Sequence, residues 1–211
     1  MHIDRRVTFY HAPQSRSAGV RILVEELGAD HDLVALDLQA GQQREPAYLA
    51  INPMGKVPAL RHGEALITEQ AAVYQYLAEL YPEHGLVPPV GDAQRGPFLR
   101  WMVFYGSCFE PAVVDRALKR DSGGRSMSPY GDYASVMQAL IQQLAPGPWL
   151  LGERFTVADV LWGSALGWMQ AFKLLPESPE IQRYVARFSE RPAVRRAAAL
   201  DQALIAARKP G

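Results

Sequence analysis

Proline carries no backbone N–H, so it cannot donate to a β-ladder and is confined to the start, edge or bend of a strand. This chain places Pro58 inside an otherwise strand-forming stretch, Asn52-Pro53-Met54-Gly55-Lys56-Val57-Pro58-Ala59-Leu60. The stretch reads as a tight Pro/Gly turn running into a short apolar strand. A few residues later, Thr68-Glu69-Gln70-Ala71-Ala72 opens a helix on an acidic residue. A cis Val57–Pro58 bond would reverse the chain sharply and let Val57 offer its own N–H and C=O to an extended peptide. Such an edge beside a helix N-terminus suits a small peptide that carries carboxylates.

The chain of 211 residues has room for one large domain or two small ones. Its 22 Lys and Arg balance its 22 Asp and Glu, so bulk charge argues neither for nucleic acid nor for an anionic membrane. The single cysteine, Cys108, excludes an intramolecular disulfide and a cysteine zinc cluster. The five histidines show no ligand spacing, and no metal is expected. No apolar run reaches membrane-spanning length, and no signal-peptide core follows the charged start, so the expected compartment is cytoplasmic and reducing.

Taken in order, Val7-Thr8-Phe9-Tyr10 is a short strand stopped at His11-Ala12-Pro13. Val20, Leu23, Val24 and Leu27 repeat at helical spacing, with Gly28 placed to end the helix. Leu33 to Leu36 reads as a second strand, which completes a βαβ unit. Gln42 to Ala50 is a weaker helix. Val57–Leu60 and Ala65–Ile67 form two strands around a His62-Gly63 turn, and Thr68 is the expected N-cap of the helix that follows. These elements make a mixed sheet with helices on its faces, over residues 1–82. A Pro/Gly-rich linker spans 83–92, and an all-α region spans 93–211, with a kink expected near Pro111. Tyr130 to Leu144 is helical. Thr156 and Asp159 form a capping box that opens a central helix, and Pro179 and Pro192 open two more.

The motifs Asn-Pro-x-Gly-Lys-Val-Pro-Ala-Leu, Thr-Glu-x-Ala-Ala and Phe-Thr-x-Ala-Asp, in this order over nearly the whole chain, resemble the cytosolic glutathione transferases. The resemblance implies an α/β, thioredoxin-like N-terminal domain and an all-α C-terminal helical bundle, in a homodimer. It also implies a cleft between the domains that takes glutathione on the first and a hydrophobic electrophile against the second. The expected reaction is conjugation to, or displacement on, that electrophile.

Free thiols titrate well above neutrality, so an enzyme using glutathione as nucleophile must stabilise its thiolate. The candidates lie between the first strand and first helix: Ser15, Ser17 and Tyr10. Ser15 is similar in place to the catalytic residue of serine-type and cysteine-type members, and Tyr10 to that of tyrosine-type members. Each serine would serve equally as a helix cap, and Tyr10 as packing. Arg16 could add positive potential. The resemblance implies that Val57 pairs its main chain with the cysteinyl part of glutathione and that Pro58 holds this geometry. Glu69 would take the γ-glutamyl ammonium, and Gln70 with the helix N-terminus its carboxylate. Gln70 stands where the family usually has serine. Lys56 and Gln43 are candidates for the glycyl carboxylate. Tyr105, Cys108, Phe109, Arg116 and Trp168 are candidates for the electrophile pocket, with core packing the competing role for each. Two other readings remain open: a maleylacetoacetate isomerase-like enzyme, and a non-catalytic interaction module of the same fold.

Overall fold

The computed structural model describes residues 4–207. Its first part runs β1 (Val7–His11), α1 (Ser17–Leu27), β2 (His31–Ala35), α2 (Pro46–Leu49), β3 (Ala59–His62), β4 (Ala65–Ile67) and α3 (Gln70–Glu79). The four strands form one sheet in the order β2-β1-β3-β4. β1 pairs parallel with β2, and β3 antiparallel with both β1 and β4. The expected thioredoxin-like mixed sheet is present. Phe9, Val20, Leu23, Leu60, Val73 and Leu77 fill its core, completely shielded from solvent.

Local chemistry explains the boundaries. α1 ends at Gly28, whose φ of 57° is the left-handed cap expected there. β3 begins at Ala59, two residues later than the sequence suggests, because Pro58 has no N–H to give the ladder. The helix expected over 42–50 is instead a short 3-10 turn, Gln42–Arg44, followed by the single turn of α2, because Pro46 cannot continue a hydrogen-bonded helix from the turn before it. Thr68 does not cap α3. The residue before that helix is Glu69, in a left-handed conformation at φ 64° that non-glycine residues rarely adopt.

The remaining helices are α4 (Arg95–Phe104), α5 (Glu110–Ala117), α6 (Tyr133–Leu144), α7 (Val157–Ala171), α8 (Pro179–Ser189) and α9 (Pro192–Ala207). The kink expected at Pro111 is absorbed one turn earlier. Tyr105–Phe109 forms a π turn between α4 and α5, with the Glu110 N–H bonded to the Tyr105 carbonyl. A proline clashes with the carbonyl four residues before it, here Ser107, and a wider turn relieves that clash. Helix α6 starts three residues after Tyr130, at an Asp132 cap whose carboxylate accepts from the Ser135 N–H at 2.8 Å.

Residues group into two compact units that do not follow chain order. One holds residues up to His84 and those from Arg191 onward; the other holds Gly85–Glu190. The final helix was expected with the helical domain of 93–211. Instead it packs along α1, to which Arg191–Glu26 and Arg196–Glu25 ion pairs tie it.

The second unit is centred on Trp162. Its indole N–H donates to the Trp101 carbonyl at 3.1 Å, and the rings of Trp101, Tyr105 and Phe109 surround it. The capping box at the start of α7 is present as expected. The Asp159 carboxylate accepts from the Thr156 N–H at 2.8 Å, the Leu150 N–H at 2.7 Å and the Tyr184 hydroxyl at 2.9 Å. No helix among the described residues is long and apolar enough to cross a membrane.

Candidate functional site

Sheet register gathers the candidate residues at one end of the first unit. Tyr10 pairs with Ala59, so continuing that antiparallel register by two residues sets Ala12 opposite Val57. Leu60 pairs with Ile67, which brings the Glu69 turn to the same end. The segments after β1, before β3 and after β4 therefore converge where strands hand over to helices, the usual ligand-binding end of such sheets.

The Val57–Pro58 bond is cis. The carbonyl just before it, that of Lys56, accepts from the Tyr48 hydroxyl at 2.6 Å and from Asn52 Nδ2 at 2.8 Å. Asn52 is buried and also closes its own turn, with Oδ1 accepting from the Met54 N–H at 3.1 Å. Burial pushes the Tyr48 phenol up to about 12, so it remains a protonated donor. Gly55 is required here. Its φ is 59°, and a Cβ would stand 2.8 Å from the Gln43 carbonyl. Val57 packs with Tyr10, Ala12, Leu36, Tyr48 and Ala59. The loop that presents Val57 is thus held by side chains on either flank of it.

The serines stand at the turn into α1. Ser17 is fully buried and Ser15 partly exposed, their hydroxyl oxygens 2.8 Å apart. Ser17 caps in an unexpected direction: its Oγ accepts from the N–H of Ala12, in the segment before the helix, at 3.0 Å. Ser15 Oγ accepts from the Ser17 N–H at 3.1 Å. Ser17 Oγ also meets His11 Nδ1 at 2.9 Å, and His11 Nε2 meets Asp201 Oδ1 at 3.0 Å. Tyr10 is buried against Tyr48, with ring centroids 5.7 Å apart.

At the third segment, Glu69 is exposed, and its positive φ costs about 1–3 kcal/mol, the kind of strain that functional turns retain. Gln70 donates from Nε2 to the Arg16 carbonyl at 3.3 Å, which links the start of α3 to the serine turn. Lys56 and Arg16 are exposed cations at the same end of the unit. Gln43 gives its amide nitrogen to the Leu38 carbonyl at 3.3 Å, and its oxygen is buried without a partner. Among the described residues no three His, Cys, Asp or Glu side chains gather as a metal site.

The electrophile-pocket candidates divide within the second unit. Tyr105 and Phe109 are buried in the Trp162 cluster, with the Tyr105 hydroxyl on Glu110 at 3.1 Å, so both rings build the core. Trp168 is 48% exposed and packs at a tilt against Phe172, which is 62% exposed, with ring centroids 4.6 Å apart. Arg116 lies over the Tyr133 ring at 4.3 Å. Cys108 is a free thiol that reaches the surface in part, rather than the buried small hydrophobe its isolation suggests.

Sequence reasoning missed His11, Asp201, Tyr48 and Asn52. Asn52 stands inside the Asn-Pro turn, so a local signal existed for it. None existed for Asp201, which is 190 residues from its partner His11.

A model of the glutathione S-transferase N-terminal domain matches residues 5–79, and one of the C-terminal domain matches residues 132–192. A glutathione S-transferase of Escherichia coli is 30% identical over 190 residues, covering 88% of this chain and 94% of that protein. A maleylacetoacetate isomerase of Aspergillus fumigatus is 30% identical over 217 residues, covering 91% of this chain and 90% of that protein. Among solved structures, a glutathione transferase from Methylococcus capsulatus aligns with a TM-score of 0.78 at 31% identity, over 93% of this chain and 99% of that one. A glutathione transferase homologue from Sulfitobacter, solved with bound glutathione, aligns with a TM-score of 0.72 at 27% identity, over 95% of this chain and 99% of that one.

Proposed function

The chain belongs to the glutathione S-transferase family, and from that premise we propose that it binds glutathione on its first unit and activates the thiol for attack on a small hydrophobic electrophile. The observation that carries this reading is the convergence of the Val57, Glu69 and Ser15 segments at one end of the sheet. Val57 supplies main-chain pairing to the cysteinyl unit, ahead of β3 and beside a Lys56 carbonyl already held by Tyr48 and Asn52. Glu69 receives the ammonium, and the first turn of α3 with Gln70 receives the adjacent carboxylate. The exposed cation Lys56 stands for the glycyl carboxylate. Gln43 is the weaker partner there, because its amide nitrogen is already engaged.

Ser15 is the thiolate stabiliser in this reading. Among Tyr10, Ser15 and Ser17, it is the hydroxyl group that is partly open to solvent and linked to a hydrogen-bond chain behind it. Ser17 supports it from the buried side, and Tyr10 packs beneath Val57. One unit of pKa depression requires about 1.4 kcal/mol of differential interaction, which a charge-assisted hydroxyl bond supplies. The electrophile is taken by exposed side chains of the second unit, with Trp168, Arg116 and Cys108 the candidates that keep accessible surface. The protein acts in the cytoplasm, in detoxification, as a homodimer.

Calorimetry with glutathione tests the binding half, and no heat of binding would overturn it. Thiolate absorbance against pH tests the activation half: Ser15→Ala raises the bound-thiol pKa, and an unchanged titration would remove Ser15 from the role. Light scattering at micromolar concentration reads the homodimer as twice the chain mass. The Aspergillus fumigatus relative favours a second reading, glutathione-dependent isomerisation of maleylacetoacetate. Loss of that substrate without net consumption of glutathione separates isomerisation from conjugation.

A further inference from the structure

Four polar groups, from the first strand, the turn before α1, α1 itself and the last helix, touch in sequence within the first unit. Asp201 Oδ1 lies 3.0 Å from His11 Nε2, His11 Nδ1 lies 2.9 Å from Ser17 Oγ, and Ser17 Oγ lies 2.8 Å from Ser15 Oγ. His11 and Ser17 are wholly buried, and the Asp201 side chain is 13% exposed. Ser15 is the end that opens outward.

The hydrogens in this chain follow from valence. An ionised carboxylate only accepts, so His11 Nε2 carries the proton and the neutral ring presents Nδ1 as an acceptor. Ser17 then donates to Nδ1. Its oxygen already accepts from the Ala12 N–H, which leaves one lone pair for the Ser15 hydroxyl proton. The Ala12 carbonyl, 2.8 Å from Ser15 Oγ and 3.0 Å from Ser17 Oγ, is the acceptor to which either hydroxyl can turn instead. In the resting arrangement every hydroxyl therefore points inward, and Ser15 offers a bound thiol an acceptor rather than a donor.

We propose that Ser15, Ser17 and His11 form a proton relay, with Asp201 as its counter-charge, that carries the glutathione thiol proton into the protein. The inference rests on the reading that Ser15 faces the sulfur. The S–H bond breaks as its proton passes to Ser15 Oγ and its electron pair stays on sulfur. The Ser15 proton passes to Ser17, and the Ser17 proton forms a new N–H bond at His11 Nδ1. One S–H bond is lost and one N–H bond gained. The imidazolium so formed already lies against Asp201. Each hydroxyl has now reversed, so Ser15 donates to the thiolate it helped to form. His11 touches no substrate; it is a positioning residue that orders the hydroxyls and holds the proton.

The groups around the ring fit this role. Asp201 faces it from α9 and Ser17 from α1, while the Phe9 ring lies 5.2 Å away on its own strand. Arg21, one turn beyond Ser17 on α1, is buried as well, and the Asp201 carboxylate is the charged group within hydrogen-bond distance of the ring. Asp201 is held in reach because α9 is fastened along α1. Arg191 forks onto Glu26 at 2.5 and 2.9 Å, and Arg196 reaches Glu25 at 3.1 Å.

The test compares Asp201→Asn, His11→Asn and Ser15→Ala for glutathione affinity by calorimetry and for bound-thiol pKa by ultraviolet titration. Asp201→Asn keeps an acceptor for Nε2 and removes only the charge, at a partly accessible position that leaves the core intact. His11→Asn sets an amide oxygen near Nδ1, which still accepts from Ser17 but cannot hold a proton. Unchanged affinity with a bound-thiol pKa raised by about one unit or more in both is the expected result. That corresponds to about a tenfold loss of thiolate near neutrality, recovered at high pH. If Ser15→Ala shifts the titration while neither relay variant does, the relay is overturned and the Ser15 reading stands. If Ser15→Ala leaves the titration where it was, the underlying reading falls and the relay with it. Should His11→Asn fail to fold, Asp201→Asn decides alone: an unshifted titration overturns the relay.

Discussion

Two buried polar networks in this protein begin at the first turn of a helix, and they end differently. At the start of α7, the Asp159 carboxylate collects donors from Thr156, Leu150 and Tyr184, and its neighbours are all buried. At the start of α1, the chain Asp201–His11–Ser17–Ser15 runs from one helix to another and emerges at a partly exposed hydroxyl. The first network is closed: each acceptor meets an internal donor, and nothing remains to offer a ligand. The second keeps an open end and contains an imidazole, whose two ring nitrogens can each carry or accept a proton. Burial pushes the Asp159 carboxyl up, despite the opposing pull of its N–H and hydroxyl donors, and pushes the Tyr184 phenol well above its ordinary range. A buried polar cluster thus stabilises a fold when it is self-contained, and can move a proton when one end reaches a ligand.

The largest expected effect comes from breaking the closed network. Asp159→Ala strips the acceptor from two buried N–H groups and a buried phenol, and should cost about 3 kcal/mol or more in denaturant unfolding. The variant that still folds should titrate its bound thiol as the parent does; a shifted titration would mean the two networks are coupled. Next, Gly163→Ala probes packing around the same helix without touching a polar group. A Cβ there would stand 2.4–2.6 Å from the Phe188 ring, so a loss of about 1–3 kcal/mol is expected, read as a lower denaturation midpoint.

Ser17→Ala carries the comparison to the open network. It leaves the Ala12 N–H and His11 Nδ1 without their hydroxyl, an expected loss of about 1–2 kcal/mol, smaller than that of Asp159→Ala. Its effect on the bound-thiol pKa should exceed that of Asp159→Ala, because it interrupts the route from Ser15 to His11. The reverse ranking in the ultraviolet titration would undo the distinction between the networks. The smallest effect is a pH slope. Asp92 is held below the usual carboxylate range by the Gln94 N–H and then Arg154, and Asp132 by the Ser135 N–H and hydroxyl. A lowered folded pKa gives stability that is present above the unfolded value and lost as pH falls through the folded one. Unfolding between about pH 6 and about pH 3 should therefore show a shallower decline in Asp92→Asn and Asp132→Asn than in the parent. Asp159, raised by burial, has the opposite sign: its contribution is present at low pH and erodes as pH rises.

Much of the architecture was legible along the chain. The mixed sheet followed from short apolar strands separated by turns, the Gly28 stop from its position after a helical repeat, and the α7 capping box from residues three apart. Each of these depends on chemistry within one turn or one strand. The errors lay where a neighbour distant in sequence, or a proline's effect on the turn before it, overrode the local pattern. Pro111 marked the kink but its relief came as a π turn before it, and the Thr68 cap gave way to a left-handed Glu69. Tyr105 and Phe109 carried the right chemistry for a pocket, but periodicity does not say which face of a helix a bundle will bury. Packing around Trp162 turned them inward.

By itself, then, the sequence determined the two-part organisation, the Val57-Pro58 strand entry and the position of Ser15 and Ser17 at the start of a helix, because propensity and spacing act over a few residues. Tertiary structure alone decided that the last helix returns to the first unit and lays Asp201 against His11. That contact spans 190 residues. No local preference encodes it; it exists because α9 buries its small-residue face along α1 and the Arg191–Glu26 pair sets its position.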